Sequence, residues 1–414
     1  MADIIFAGDA AAVVNVQTGT LDTYDVATTY KVTIGGKVIS TVGTGGSTST
    51  TATALRTLLN ATTAPQEFLN ITWSGATNAI IGTNDVSGVP FVATLTVSGG
   101  TGTVTDFSTT TACEGPNVVC ANNFKDATSG ARALPVAADT VYFQDSSVDL
   151  KYALEALAAV TVTNLHFKAS YTGEVGLPFI HDATTDYQEY LPRYFKLGAT
   201  NVYIGEGGGD GSPLLMLNFS TIQAAILVAG SDTSSDDHLH AIQIRGTHAS
   251  NTLTATGGTI DLAPDDDDTA VVLTMTLGGD AEVRASRNVT LTTVTAGGSS
   301  ILEYYPAVVT LNVYGAATVT RRGTGTLTTG NIYATLNDLA SGTVTTMNIG
   351  STGTVDNTSS TVGKTYTSTV VAEGFSLKDP NHRVTFTNAI DGGKGDVLGG
   401  LDLGAGRTIL PGAP

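Results

Sequence analysis

Between residues 289 and 355 the chain repeats itself loosely: VTLTTVTAGGSSIL, VTLNVYGAATVT, LTTGNIYATL, VTTMNIGSTGTV. Val313 and Ile332 stand 19 positions apart, and Ile332 and Ile349 stand 17 apart. Each unit is a short strand, a Gly/Ser/Thr turn and a second short strand. A unit of that size cannot bury its own apolar face, so neighbours must stack and share a core, as the coils of a solenoid do. The spacing also predicts that Ile332 and Ile349 point inward from adjacent coils. Thr and Val are β-branched, which suits a pleated, half-buried surface. The missing 3.6-residue period excludes helical repeats. A β-sandwich, which also spaces short strands closely, is the competing reading. The expected fold class is therefore mainly β: a parallel β-solenoid (β-helix) preceded by a small α+β module.

Texture along the chain divides it into four parts. Residues 1–24 read as an extended arm without caps or turns. Its small apolar residues, Ala10, Ala11, Ala12, Val13, Val14 and Val16, are expected to cover a neighbouring subunit. Residues 25–110 read as a compact α+β anchoring module. In it YKVTI and KVISTV flank Gly35-Gly36, a hairpin signal. Leu55, Leu58 and Leu59 mark one face of a short helix, and strands are expected at Leu69–Trp73, Ala79–Gly82 and Phe91–Val97. Residues 111–135 form a linker loop holding both cysteines. Residues 136–414 carry the solenoid, with the apolar tail as its C-terminal cap.

Charge and cysteine content narrow the function. The 414 residues carry 37 acidic against 19 basic side chains, a net charge of −18. Direct nucleic-acid binding needs clustered Lys and Arg and is not expected. No apolar run approaches the length of a membrane span, and MADIIFAGDAAAVVNV lacks the basic start and apolar core of a secretory signal. Cys113 and Cys120, in ACEGPNVVC, have no further ligands for zinc; they read equally as a small disulfide loop or as two buried thiols.

Four places could carry chemistry. Asp265, Asp266, Asp267 and Asp268 offer the hard oxygens Ca²⁺ takes, but four consecutive residues cannot converge on one ion, and a solvated turn is the simpler reading. His238 and His240, with Asp232, Asp236 and Asp237 nearby, share a strand face and could seat a metal or a proton relay; a polar corner is simpler. The glycine run Gly205–Gly211 lacks the Lys-Ser/Thr of a phosphate loop. The acids Glu174, Asp182, Asp186, Glu189, Glu206 and Asp210, near Arg193 and Tyr194, could serve a glycan-cleaving enzyme if they converged. The aromatic run Tyr171, Phe179, Tyr187, Tyr190, Tyr194, Phe195 and Tyr203 reads as part core and part contact surface. No set identifies a catalytic site or a cofactor, and none is expected.

Several phrases together resemble a family of tailed-phage and prophage structural proteins: GDAAAVVNVQ, TYKVTIGGKVIS, PQEFLNITWS, GVPFVATLTVSGGTGT, ADTVYFQDSSVDLKYALEAL, EYLPRYFKLGATNVYIGEGGGDGS and LKDPNHRVTFTNAIDGG. Cys113 and Cys120 stand where that family carries a Trp-containing loop. The resemblance implies a virion component, and the expected role is a capsid decoration, spike or fibre that contacts other capsid or tail proteins, with a host-surface glycan as a candidate partner; solenoids of this kind are often trimeric, so a homotrimer is expected. It would be assembled in the host cytoplasm and be extracellular when mature. A glycan depolymerase of the tailspike kind and a bacterial surface adhesin are the alternatives.

Overall fold

Each repeat places one strand in a long parallel sheet and the next strand in a second one. Thr252–Ala255, Ala270–Leu277, Val289–Ala296, Val308–Val313, Leu327–Ile332 and Val344–Ile349 lie side by side in the first. Thr259–Leu262, Glu282–Ala285, Ile301–Tyr304, Thr318–Arg321 and Thr335–Asp338 lie side by side in the second. This computed structural model describes residues 2–178, 191–234, 240–265, 267–393 and 398–405. Among them the first sheet has 15 strands and the second 11, and the architecture is solenoid-like.

Register explains the sequence period. Val313 pairs with Ile332, and Ile332 with Ile349. These residues are buried, as the spacing predicts, and stack with Val319, Leu336 and Val355 of the second sheet in one continuous core. Burying each such side chain is worth about 1.5–3 kcal/mol. Alternate residues point out. Thr274, Thr293, Thr310, Thr329 and Thr346 form one outer row in register. Asn312, Asn331 and Asn348 form another, in which Asn331 Nδ2 donates to Asn312 Oδ1 and Asn348 Nδ2 to Asn331 Oδ1, both at 2.8 Å. The turn between the sheets needs a left-handed residue, and Gly279, Gly298 and Gly315 supply it at φ +53°, +62° and +67°. That is the origin of the glycine recurring in the repeat.

One charged group lies inside the stack. Arg321 and Asp338 occupy neighbouring inward positions of the second sheet, both fully buried. Arg321 Nη1 donates to both Asp338 oxygens at 3.0 and 3.1 Å, and its Nη2 donates to the carbonyls of Gly325 and Gly342. Tyr366 Oη donates to Asp338 Oδ2 at 2.7 Å, and Lys364 Nζ lies 3.4 Å from Oδ1. Burial pulls the Lys364 ammonium below its ordinary pKa.

The N-terminal stretch does not behave as a free arm. Asp3–Phe6 is a strand of the long sheet, parallel to Thr140–Phe143 and antiparallel to Phe124–Asp126. Phe6 is fully buried against Phe124, Phe143 and Tyr171. Val16–Thr23 is an inner strand of a four-stranded antiparallel sheet with Ile71–Ser74, Ala79–Asn84 and Thr103–Thr111. Between these strands, Val13 bridges to Glu114, Val14 is half-buried, and the Ala10 amide donates to Asn123. Ala11 and Ala12 are exposed. The alternation that looked like a segment awaiting a partner finds its partners within its own chain. Likewise the 111–135 loop contributes the strand Phe124–Asp126 to the end of the long sheet.

Residues 16–111 surround a second core. Thr29–Ile34 and Lys37–Val42 form a hairpin through Gly35 and Gly36, both at positive φ, and Thr94–Ser98 pairs on its other side. Ser47 caps helix Thr48–Leu59 by accepting from the Thr50 amide. The helix buries Thr51, Ala52, Leu55 and Leu59, whereas Leu58 is exposed; the buried stripe runs through the small residues rather than through all three leucines. The expected strand at Leu69–Trp73 starts at Ile71, because Gln66–Leu69 makes a helical turn after Pro65. The C-terminal tail expected to cap the stack, 406–414, lies outside the described residues.

Candidate functional site

The second sheet's outward positions bring together side chains far apart in sequence. In register order the row reads Gln243, Asp261, Arg284, Glu303, Thr320, Asn337, Asp356, Lys378. Their neighbours Val283, Leu302, Val319, Leu336, Val355 and Leu377 point into the core. The two-residue alternation of a strand therefore sorts each repeat into a core residue and one on the opposite face, where Gln243 and Asp261 are covered and Arg284 is exposed. Opposite charges on adjacent strands also suit pairing, as in Asp261–Arg284–Glu303 and Asp356–Lys378.

Two clefts lie along this row. The first, about 210 Å³, is lined by Asp261, Pro264, Arg284, Ser286, Arg287 and Tyr305. The second, about 510 Å³, includes Thr320, Arg322, Asn337, Asp356, Thr358 and Lys378. Glu303 stands between them, held by Arg322 Nε at 2.9 Å and by the Tyr305 hydroxyl at 2.9 Å. Lys378 lies 3.4 Å from Asp356, whose carboxyl stays below its ordinary pKa although burial pushes the other way, because the Thr358 hydroxyl and amide and the Lys378 ammonium favour its charged form. The result is a polar groove along the stack.

A histidine and an ion cluster border the groove. His240 Nδ1 is 3.3 Å from Asp261 Oδ1, and Nε2 is 3.7 Å from Glu282. The Asp261 hydrogen bond raises its pKa. His238, Asp236 and Asp237 lie outside the described residues, and Asp232 Oδ1 accepts from the Thr233 amide at 2.7 Å. Arg245 stacks on the Tyr194 ring at 3.5 Å and pairs with Asp268 and Asp265. Arg193 Nη1 is 2.8 Å from Asp265, and the Tyr194 hydroxyl donates to Asp268 at 3.0 Å and to Gln243 at 3.1 Å. Burial pushes the Tyr194 phenol up to about 12.

The aspartate run is not wholly the solvated turn that was its simpler reading, since Asp268 is buried. Asp265 and Asp268 face two guanidinium groups that already neutralise them, and a Ca²⁺ ion would have to displace both. Asp267 is exposed, and Asp266 lies outside the described residues. Among the described residues no three His, Cys, Asp or Glu side chains form a metal-holding group.

The other candidates separate. Glu174 pairs with Lys151 at 3.1 Å, whereas Glu206 pairs with Lys168 at 2.6 Å and His166 at 3.1 Å, so the two acids share no partner. Asp210 is exposed in the glycine loop; Asp182, Asp186 and Glu189 lie outside the described residues. Tyr171, Tyr194 and Phe195 are buried, while Tyr203 stacks on His166 at 4.5 Å and His166 in turn on Tyr142 at 4.7 Å. Phe179, Tyr187 and Tyr190 fall outside the described residues. Cys113 and Cys120 are buried free thiols; Asn117 donates to Cys113 Sγ at 3.4 Å, and burial pushes that thiol up to about 11.

Sequence reasoning missed Arg284, Glu303, Tyr305, Arg322 and Lys378. For Arg284, Glu303 and Lys378 the signal was present: a charge follows the apolar residue in VR, LE and LK of three second strands. No protein-family model, curated protein or solved structure matches the chain.

Proposed function

We propose that the chain is a structural component of a virus-particle surface, of the tailed-phage kind, acting by binding rather than catalysis. The observation that carries this reading is the ordered outer surface of the parallel stack. Ten strand spacings of the second sheet at about 4.8 Å extend it for roughly 50 Å. A rigid rod with a regular polar face suits multivalent contact, in which many weak contacts held in register add up. The sequence resemblance to phage structural proteins supports the same reading. Homotrimeric assembly and contacts with other capsid or tail proteins belong to this proposal, as does a mature location on the virion. Mass spectrometry and cryo-EM of purified particles test it: the expected result is the chain at stoichiometric occupancy on the surface. Its absence from particles, with monomers in sedimentation, would overturn it.

A glycan-cleaving role is the second reading, favoured by Asp261 and Glu303 on alternate strands of the groove. Reducing ends released from polysaccharide by the purified chain would support it, and Glu303→Gln should then abolish the release.

A further inference from the structure

The groove gathers cations on a chain that is otherwise strongly acidic. Arg284, Arg287, Arg322 and Lys378 line the two clefts, against the carboxylates of Asp261, Glu303 and Asp356. Among the described residues four cations stand here beside three carboxylates, on a molecule whose net charge is −18. Arg284 is exposed and makes no ion pair within 4 Å among the described residues. Beside it Ser286 Oγ is buried with no hydrogen-bond partner among them. A buried hydroxyl without a partner is costly and marks a place where a ligand group or water completes the bonding.

We propose that this groove binds a linear acidic polysaccharide along the stack axis, with the ligand's carboxylates seated on Arg284, Arg322 and Lys378. The register sets the spacing. Arg284 and Arg322 are about two strands apart, roughly 10 Å, and Arg322 and Lys378 about three, roughly 14 Å. Such a ladder suits an extended polymer better than a compact anion. Guanidinium groups hold carboxylates through two parallel hydrogen bonds, which gives geometric selection as well as attraction. Thr320, Asn337 and Thr358 offer hydroxyl and amide partners for sugar hydroxyls between the charges. The Tyr305 hydroxyl is tied to Glu303, which fixes a ring at the boundary of the two clefts.

Other polymers fit less well. Strands 282–285 through 354–356 are paired on both sides, so no edge is free for a peptide to extend the sheet. The clefts contain little apolar surface to anchor its side chains. Duplex nucleic acid needs many clustered cations along its two strands, and this groove offers a single narrow row of them. The inference extends the proposed binding role to a ligand, and the two fail separately: particle occupancy tests the first, polysaccharide retention by the isolated chain the second.

Biolayer interferometry of the full chain on immobilised polygalacturonate and alginate tests it, with dextran and polyglutamate as controls. Retention is expected on at least one acidic polysaccharide, absent on dextran and falling with added salt. Arg284→Glu combined with Lys378→Glu should weaken it tenfold or more, whereas Thr310→Glu on the opposite sheet should not. Circular dichroism confirms that each variant keeps its fold, and Arg284→Gln alone gives a milder version of the same loss. Retention on neither polysaccharide, equal retention by the folded double variant, or tighter binding to polyglutamate overturns the proposal.

Discussion

Replacing Asp338 with Asn removes the one carboxylate shared by Arg321, Lys364 and Tyr366 while keeping its shape. The guanidinium and ammonium it balances have no solvent-exposed side-chain surface. Breaking a buried pair from one side typically costs about 3–5 kcal/mol, because the remaining charge keeps its desolvation penalty. Here two cations lose their counter-charge, so the upper half of that range is expected. Tyr366 loses less, since Asn357 Oδ1 at 3.3 Å still accepts its hydroxyl. Stacked repeats unfold by coils rather than all at once, so global melting is a blunt measure. Hydrogen exchange read by mass spectrometry is sharper: amides of 318–321, 335–338 and 364–371 should lose protection by a factor of roughly 10³ to 5×10³, following from about 4–5 kcal/mol, while those of 16–111 hold. The contrast is Arg321→Met, Asp338→Leu, Lys364→Met together, which should cost little or stabilise by up to about 4 kcal/mol. An Asp338→Asn variant with unchanged protection in those coils would refute the argument.

Phe6→Ala should cost about 3–5 kcal/mol, because the ring is fully buried against three others; urea titration of the full chain checks it, and a loss under 1 kcal/mol would restore the free-arm reading. His240 has its pKa raised by Asp261, so it contributes stability that is present below its ordinary pKa near 6.5 and lost as pH rises through the raised value. His240→Gln should flatten that slope in urea titrations between pH 5.5 and 8. Thiol titration should find Cys113 and Cys120 slow to react in the native chain and both titratable after denaturation; fewer than two would reveal a bridge.

The stack was legible in the sequence because a stacked core imposes its period on the residues that line it. Ile332 and Ile349 needed nothing more than their spacing. The hairpin at Gly35-Gly36 was legible for a local reason, the demand for positive φ. The N-terminal strand was not, since nothing in DIIF says that its partner begins at residue 140. The aspartate run misled for the same reason: its chemistry depends on Arg193 and Arg245, which lie 72 and 20 residues away from Asp265. The groove was half legible. Its charges sit at one position of every other strand, but their convergence is a property of register, which one sequence does not display.

The pairing of Ile4 with Val141 also sets an order of events during synthesis. Ile4, and with it Phe6, leaves the ribosome well ahead of its parallel neighbour Val141, which is 137 residues behind. At about 5–20 residues per second, the wait is roughly 7–27 s. Throughout that interval two large apolar side chains have no permanent home, and the small antiparallel sheets fold between them and their destination. Closing this clasp requires bringing distant ends together, the slow kind of contact in folding. The strand Asp3–Phe6 is therefore a natural client for a chaperone, and bulk attached beside it would delay the closing of the stack rather than hang harmlessly from it.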